Sequence, residues 1–222
     1  MHKNGTVFKL NVKPAFSEIE GEIVGIFAGD GSQHFEPKAY HYEVNVHFGK
    51  QNIEYALYVK NLFETFFNKK FRLEKQTLNC LRLRTYSKEI YHFFENYLEY
   101  IPQVKHSTVK LKSNTFSTEF KIGFLRGMLD TDGCIRHLPN EKRTRIFFCT
   151  TSEELSAQIK NILNEFKINN GRYVSVRKYR NEKPVYYVNV WKDSADKFIN
   201  LIKPLKAAKG LVIQSGITKG SG

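Results

Sequence analysis

At 222 residues, with 41% hydrophobic and 14% aromatic side chains, the chain can form one or two compact units with a real core. No run approaches the roughly 18 apolar residues of a membrane span, and the N-terminus lacks a signal-peptide apolar stretch. Cys80, Cys134 and Cys149 have neither the even count of a disulfide framework nor metal-ligand spacing, which points to a reducing, intracellular compartment. The net charge of +13 and a pI near 9.5 favour a polyanionic partner, most often nucleic acid. Residues 1–101 carry 13 Lys and Arg against 12 Asp and Glu, a net of +1. Residues 102–222 carry 22 against 10, a net of +12, so phosphate contacts are expected to be denser in the second half.

Residues 1–15 are polar and read as an irregular arm. Ser17 and Glu20 fit a capping box, and a helix follows to about Gly29. A strand from Gly31 to Pro37 and an alternating strand from Tyr42 to Phe48 come next, with Val44, Val46 and Phe48 on one side and Glu43, Asn45 and His47 on the other. A helix over 53–67 has Leu57, Leu62, Phe63 and Phe66 as its expected apolar stripe. Strands at 71–76 and 78–85 follow, the second with Leu81 and Leu83 opposite Arg82 and Arg84. A helix over 87–100 stops before Pro102. Residues 102–116 read as a polar linker.

The order then repeats: an apolar helix ending at Asp132, strands from Cys134 and over 143–151, a helix over 153–166, strands at 173–179 and 185–191, and a helix over 193–202. In the strand at 173–179, Val174 and Val176 take the core phase opposite Ser175 and Arg177. Each half reads helix, two strands, helix, two strands, helix. The expected fold class is α+β, with helices on one sheet face and the other face polar and basic. The expected units are residues 1–101, the linker 102–116, and residues 117–222.

The repeat is sharpest where each leading helix ends. Ile23-Val24-Gly25-Ile26-Phe27-Ala28-Gly29-Asp30-Gly31 and Leu125-Arg126-Gly127-Met128-Leu129-Asp130-Thr131-Asp132-Gly133 share an apolar run, two small residues four apart and a final Asp-Gly. Gly25 with Gly29, and Gly127 with Thr131, would let two helix backbones meet closely and bring Asp30 and Asp132 together at one end. A carboxylate at a helix C-terminus is disfavoured by the macrodipole unless a cation is present. The pair therefore suggests metal ligands rather than two turn aspartates.

These two stretches resemble the LAGLIDADG homing endonuclease family in its single-chain, two-motif form. The second matches the motif at Leu125, Gly127, Asp130, Asp132 and Gly133. The first matches at Gly25, Asp30 and Gly31, with Ala28 in place of the earlier, mostly structural aspartate. The resemblance implies two pseudo-symmetric αββαββα halves, an antiparallel β-saddle over DNA and the motif helices at the interface. It implies site-specific hydrolysis of double-stranded DNA by a monomer using Mg²⁺ or Mn²⁺ held by Asp30 and Asp132, with Gly29 and Thr131 beside them. By resemblance, Gln51 and Thr151 at the strand ends orient water, and Lys105 and Lys209, each after a half's last helix, complete the catalytic set.

For DNA contact the side chains opposite the core phase are expected: Ser32, His34, Glu36, Asn45, His47, Arg72, Arg82 and Arg84 in the first half; Arg136, Arg143, Arg145, Ser175, Arg177, Tyr187 and Asn189 in the second. A major groove admits such a ribbon, and Arg to guanine and Asn to adenine are the usual specific pairs. His34 and His47 have no partner spacing for a metal, and Trp191 is expected in the core. An RNA maturase that assists intron splicing without cleavage is the alternative. Met1 and the lack of splice-junction residues favour a free-standing enzyme. Richness in Phe, Tyr, Ile, Asn and Lys points to an AT-rich, intron-encoded source, in an organelle or a prokaryotic cytoplasm.

Overall fold

Helix α1 (Glu18–Asp30) begins as the capping box requires. The Ser17 side chain accepts from Glu20 N, and the Glu20 carboxylate accepts from Ser17 N. Its counterpart α5 (Thr118–Asp132) is capped by Ser117, which accepts from Phe120 N. The fold is a computed structural model that describes residues 16–138, 143–176 and 183–205. The expected arm at 1–15 lies outside them.

After α1 come β1 (Gly31–Glu36), β2 (His41–Gly49), a 3-10 turn (Lys50–Asn52), α2 (Ile53–Phe67), β3 (Arg72–Lys75), β4 (Cys80–Tyr86) and α3 (Lys88–Phe94). A middle segment holds β5 (Leu98–Glu99), α4 (Lys105–Thr108) and β6 (Lys110–Leu111). After α5 the order recurs as β7 (Gly133–Leu138), β8 (Arg143–Thr150), α6 (Glu153–Glu165), β9 (Asn170–Ser175), β10 (Val185–Val190) and α7 (Ala195–Ile202). The two four-stranded sheets are ordered β1-β2-β4-β3 and β7-β8-β10-β9, antiparallel throughout. Val44, Val46, Phe48 and Leu83, and likewise Ile146, Phe148, Val188 and Val190, are buried on the helix side. The other face of each sheet is open.

Residues 20–28 of α1 are all buried. A helix buried all round has no polar face to keep, because it lies in the seam between the halves. The seam is closer than side chains would permit. A Cβ at Gly21 would lie 2.0 Å from the Phe120 carbonyl oxygen, at Gly25 2.3 Å from that of Phe124, at Gly123 1.9 Å from that of Glu18, and at Gly127 2.3 Å from that of Glu22. Backbone rests on backbone at these four glycines, and the seam starts one turn earlier on each helix than the four expected residues. Glycine at every fourth place, Gly21-Gly25-Gly29 and Gly123-Gly127, carries that signal in the sequence. Arg126 fastens the pair across the seam, donating to Glu18 and, at 2.9 Å, to Glu22. Its Nε reaches the Ile202 carbonyl at 2.7 Å and so anchors α7.

The high aromatic content fills the first half's core. Phe27 stacks on Phe94 with centroids 3.8 Å apart, and Tyr97 stacks on Phe120 at 5.3 Å. That packing decides two departures from expectation. The helix expected to reach residue 100 ends at Phe94, because Tyr97 and Leu98 turn inward and Leu98 pairs with Leu111. The stretch read as a polar linker buries Lys105, Val109, Leu111 and Phe116. In α2 the buried stripe is Ala56, Val59, Phe63 and Phe67. Leu57, expected in it, is exposed, since 57 falls a step off that face. Val174 and Val176, expected to be core, are also exposed at the outer strand of the second sheet.

Gly123→Ala tests the seam. In an open helix, alanine would gain about 1 kcal/mol over glycine. Here the methyl group meets a carbonyl, and a loss of about 1–3 kcal/mol or more is expected. Urea denaturation measures it, and a gain would show that the helices can slide apart.

Candidate active site and nucleic-acid face

Both motif helices end in Asp-Gly for the same reason. A Cβ at Gly31 would sit 2.5 Å from the Phe27 carbonyl oxygen, and one at Gly133 2.4 Å from Leu129 Cδ1. The chain folds back against the last helical turn and enters β1 or β7 at once. Asp30 and Asp132 are thereby fixed at the two helix ends, above the sheets. At Gly29 an added Cβ would lie 2.2 Å from Thr131 Oγ1 and 3.4 Å from Asp132 Oδ2. The Asp132 carboxylate thus stands over the end of α1.

The middle segment carries a cation into this place. Lys105 Nζ donates to the carbonyls of Phe27, Ala28 and Gly29 at 2.9, 2.7 and 3.2 Å. An ammonium has three donors, and all are used on the negative end of α1. Burial pushes its pKa down to about 8, while the nearby charges of Asp132 and Asp30 pull the other way. The second helix end is held differently. Asp130 is buried, and its Oδ2 accepts from Leu205 N at 3.0 Å, tying the chain after α7 to α5. Ala28 stands at the matching place in α1.

A cavity of about 250 Å³ opens beside Asp132. Gly29, His106, Cys149 and Thr151 are among its lining residues. Thr151 Oγ1 donates to the His106 carbonyl at 2.6 Å, and Cys149 Sγ donates to the Asp132 carbonyl at 2.9 Å. Cys149 has no motif to mark it as a neighbour of the site, and only the phase of its strand places it there. Thr131 Oγ1 turns back into its own helix, to the carbonyls of Gly127 and Met128 at 2.9 and 3.2 Å. Asp30, Asp132, Gly29, Lys105 and Thr151 are thus assembled around the two helix ends. Gln51 stands exposed in the 3-10 turn with its amide against Gly49 and outside that cavity's lining. Lys209 lies outside the described residues.

The expected residues of the first sheet lie by register on its open side, although Asn45 is itself buried there. Cross-strand register places Ser32 opposite Asn45, His34 opposite Glu43, Glu36 opposite His41, and Asn45 and His47 opposite Arg84 and Arg82. In the first half they form a network. Glu74 accepts from Arg82 Nε at 3.0 Å and from Arg84 at 3.1 Å, and pairs with Arg72 at 3.3 Å. These partners, Arg82 foremost, hold the Glu74 carboxyl below its usual range. His47 lies between Ser32 and Gln76, 3.0 Å from each. Glu74 is a site residue that the sequence analysis missed, although the phase of Arg72 places it on this face.

The second half differs at the matching places. Arg136 lies directly opposite Arg145, where the first half has His34 and Glu43. Neither arginine has an ion pair among the described residues. Tyr187, Asn189 and Ser175 share this face, and the Arg143 side chain lies outside what is described. Arg177 lies outside the described residues. Trp191, expected in the core, is 50% exposed. Its ring lies on Gly171, where a Cβ would be 2.4 Å from Trp191 Cζ2.

Residues 119–203 match the family model described as a LAGLIDADG-like domain. No curated protein matches the chain. Several solved structures share the fold. The homing endonuclease I-DmoI in complex with DNA and Ca aligns at a TM-score of 0.64 and 20% identity over 88% of this chain and 98% of that one. I-WcaI bound to its DNA recognition sequence aligns at 0.56 and 16%, over 85% and 82%. The N-terminal LAGLIDADG domain of DUF199/WhiA aligns at 0.54 and 15%, over 90% of each chain. Residues 119–203 are thus similar in sequence to the LAGLIDADG-like domain, and most of the chain, across both halves, shares the fold of the homing endonuclease structures.

Proposed function

We propose that the protein is a site-specific endonuclease that hydrolyses both strands of duplex DNA with divalent metal held by Asp30 and Asp132. The observation that carries this reading is the meeting of two carboxylates at adjacent helix C-termini, where each helix field and each carboxylate opposes the other unless a cation lies between. The donor set fits Mg²⁺ or Mn²⁺. Among the described residues no group of three His, Cys, Asp or Glu side chains could hold a metal, and two carboxylates with main-chain carbonyls and substrate oxygens are what Mg²⁺ accepts. A bound divalent cation supplies activated water and neutralises charge at phosphorus.

The protein's own groups do the rest. Asp30 and Asp132 fix where the metal and the scissile phosphates meet. Lys105, with all its donors spent on α1, is a positioning residue that holds the end of α1 and its aspartate in place. Thr151 and Gln51, from the two halves, follow β8 and β2 closely and would hold water near the phosphate. The open sheet faces grip the major groove, with Arg136 and Arg145 bearing a repulsion that DNA phosphates relieve.

A second reading is nucleic-acid binding without cleavage, such as RNA maturase activity. The fold is shared with the LAGLIDADG domain of DUF199/WhiA, and one fold hosts several functions.

Asp30→Asn and Asp132→Asn are each expected to abolish or sharply reduce Mg²⁺-dependent cleavage. Binding in Ca²⁺ should persist, and the metal-free Tm should be unchanged or higher. Cleavage at the wild-type rate in both variants would relocate the site. Lys105→Met is expected to lower both cleavage and Tm, because three buried carbonyls lose their donor at about 1–3 kcal/mol each. An unchanged Tm would show that the carbonyls find other partners.

Arg145→Ala separates binding from folding. Like charges directly opposite destabilise a sheet by a few tenths of a kcal/mol, so Tm should hold or rise slightly. DNA affinity should fall, and the slope of log K against log salt should shrink by about 0.9 for each phosphate no longer neutralised. An unaltered slope would show that this arginine pair neutralises no phosphate.

A further inference from the structure

The two open faces are built alike and furnished differently. Register aligns Val46 and Leu83 of the first sheet with Phe148 and Val188 of the second, and Leu73 with Arg172. Asn45, Arg82 and Glu74 then correspond to Phe147, Tyr187 and Tyr173. An ion-paired polar cluster in one half is an aromatic cluster in the other. Tyr173 and Tyr187 stack in parallel with centroids 4.9 Å apart, and Phe147 meets Tyr187 at 5.8 Å. Tyr173 is 48% exposed. The rings line a groove of about 410 Å³ that Asn189, Trp191, Arg145 and Lys192 complete.

An exposed apolar patch with a polar rim marks an interaction site. This one is continuous with the basic face that carries Arg136 and Arg145, so its occupant is an anion that also presents apolar groups. In a major groove the apolar group on display is the thymine methyl, and asparagine pairs with adenine at N6 and N7. Asn189 lies directly opposite Phe147 and Gly171, so an amide and aromatic rings face one place. Setting these rings against a G·C pair would strip water from donors and acceptors without replacing it.

We infer that the second sheet reads A·T pairs through thymine methyl contacts with Phe147, Tyr173 and Tyr187 and an adenine contact with Asn189, while the first sheet reads hydrogen-bonding edges through its arginines. The target is then asymmetric, with a thymine-rich half under the second sheet. This assignment rests on the duplex-DNA reading above.

The test begins with sites selected from a random duplex library by the full chain in Ca²⁺. Thymines are then replaced by deoxyuridine one half-site at a time. The affinity of the wild-type protein should fall about fourfold for each methyl removed from one half, the worth of one buried methyl group, and should not change for the other half. 5-Iododeoxyuridine, of thymine's shape, should photo-cross-link in the sensitive half to peptides containing Phe147, Tyr173 or Tyr187. Tyr173→Ser should lose part of the preference for thymine over uracil, with Tm retained. Equal wild-type affinity for both, equal losses in both halves, or cross-links on β1–β4 would overturn the assignment while leaving cleavage intact. If the chain binds no duplex but holds single-stranded RNA through the same tyrosines, which unpaired bases stacking on aromatic rings would allow, this assignment and the endonuclease reading fall together.

Discussion

The structure depends on two helices meeting with no side chains between them. At Gly21, Gly25, Gly123 and Gly127 the added Cβ would lie within 2.3 Å of a carbonyl oxygen of the other helix, closer than any real contact. Close packing of this kind forfeits side-chain burial at those positions and gains dispersion contact along the backbone. It also fixes the relative position of the halves with little freedom, because each half hangs its sheet from the end of its own helix. The site inherits that precision: Asp30 and Asp132 are the last residues of the helices whose approach is fixed.

Charge is handled unequally along the same helix pair. Towards the N-termini, Arg126 meets Glu18 and Glu22, and Glu22 also accepts from the Tyr58 hydroxyl at 2.6 Å. Burial and that hydrogen bond raise the Tyr58 pKa, so the carboxylate keeps its donor. Breaking a buried pair of this type costs about 3–5 kcal/mol, which makes the network a lock on register. At the C-termini, the buried Lys105 ammonium lies near the charges of both Asp30 and Asp132. The chain concentrates its electrostatic tension at the end where a divalent cation would be useful.

The halves have diverged around this axis. The first sheet neutralises its arginines with Glu43 and Glu74, which orients them before any ligand arrives. The second sets Arg136 against Arg145 and surrounds them with rings. The excess charge of residues 102–222 therefore does not translate into a uniformly basic sheet. Part of it lies in arginines flanking an apolar strip.

The sequence alone determined the repeat, the ends of the two motif helices and the strand phases. Asp-Gly after an apolar helix, glycines four apart, and period-two alternation are local patterns, and the backbone obeys them locally. It also placed Lys105 near the site through resemblance. Only tertiary structure decided what Lys105 does there, since its three carbonyl partners lie 78, 77 and 76 positions away. It likewise decided that Val109, Leu111 and Phe116, in the stretch read as a polar linker, are buried. Leu57, Val174 and Trp191 lie at the surface against expectation. Hydropathy tells which side chains can be buried, whereas the extent of the neighbouring element decides which ones are.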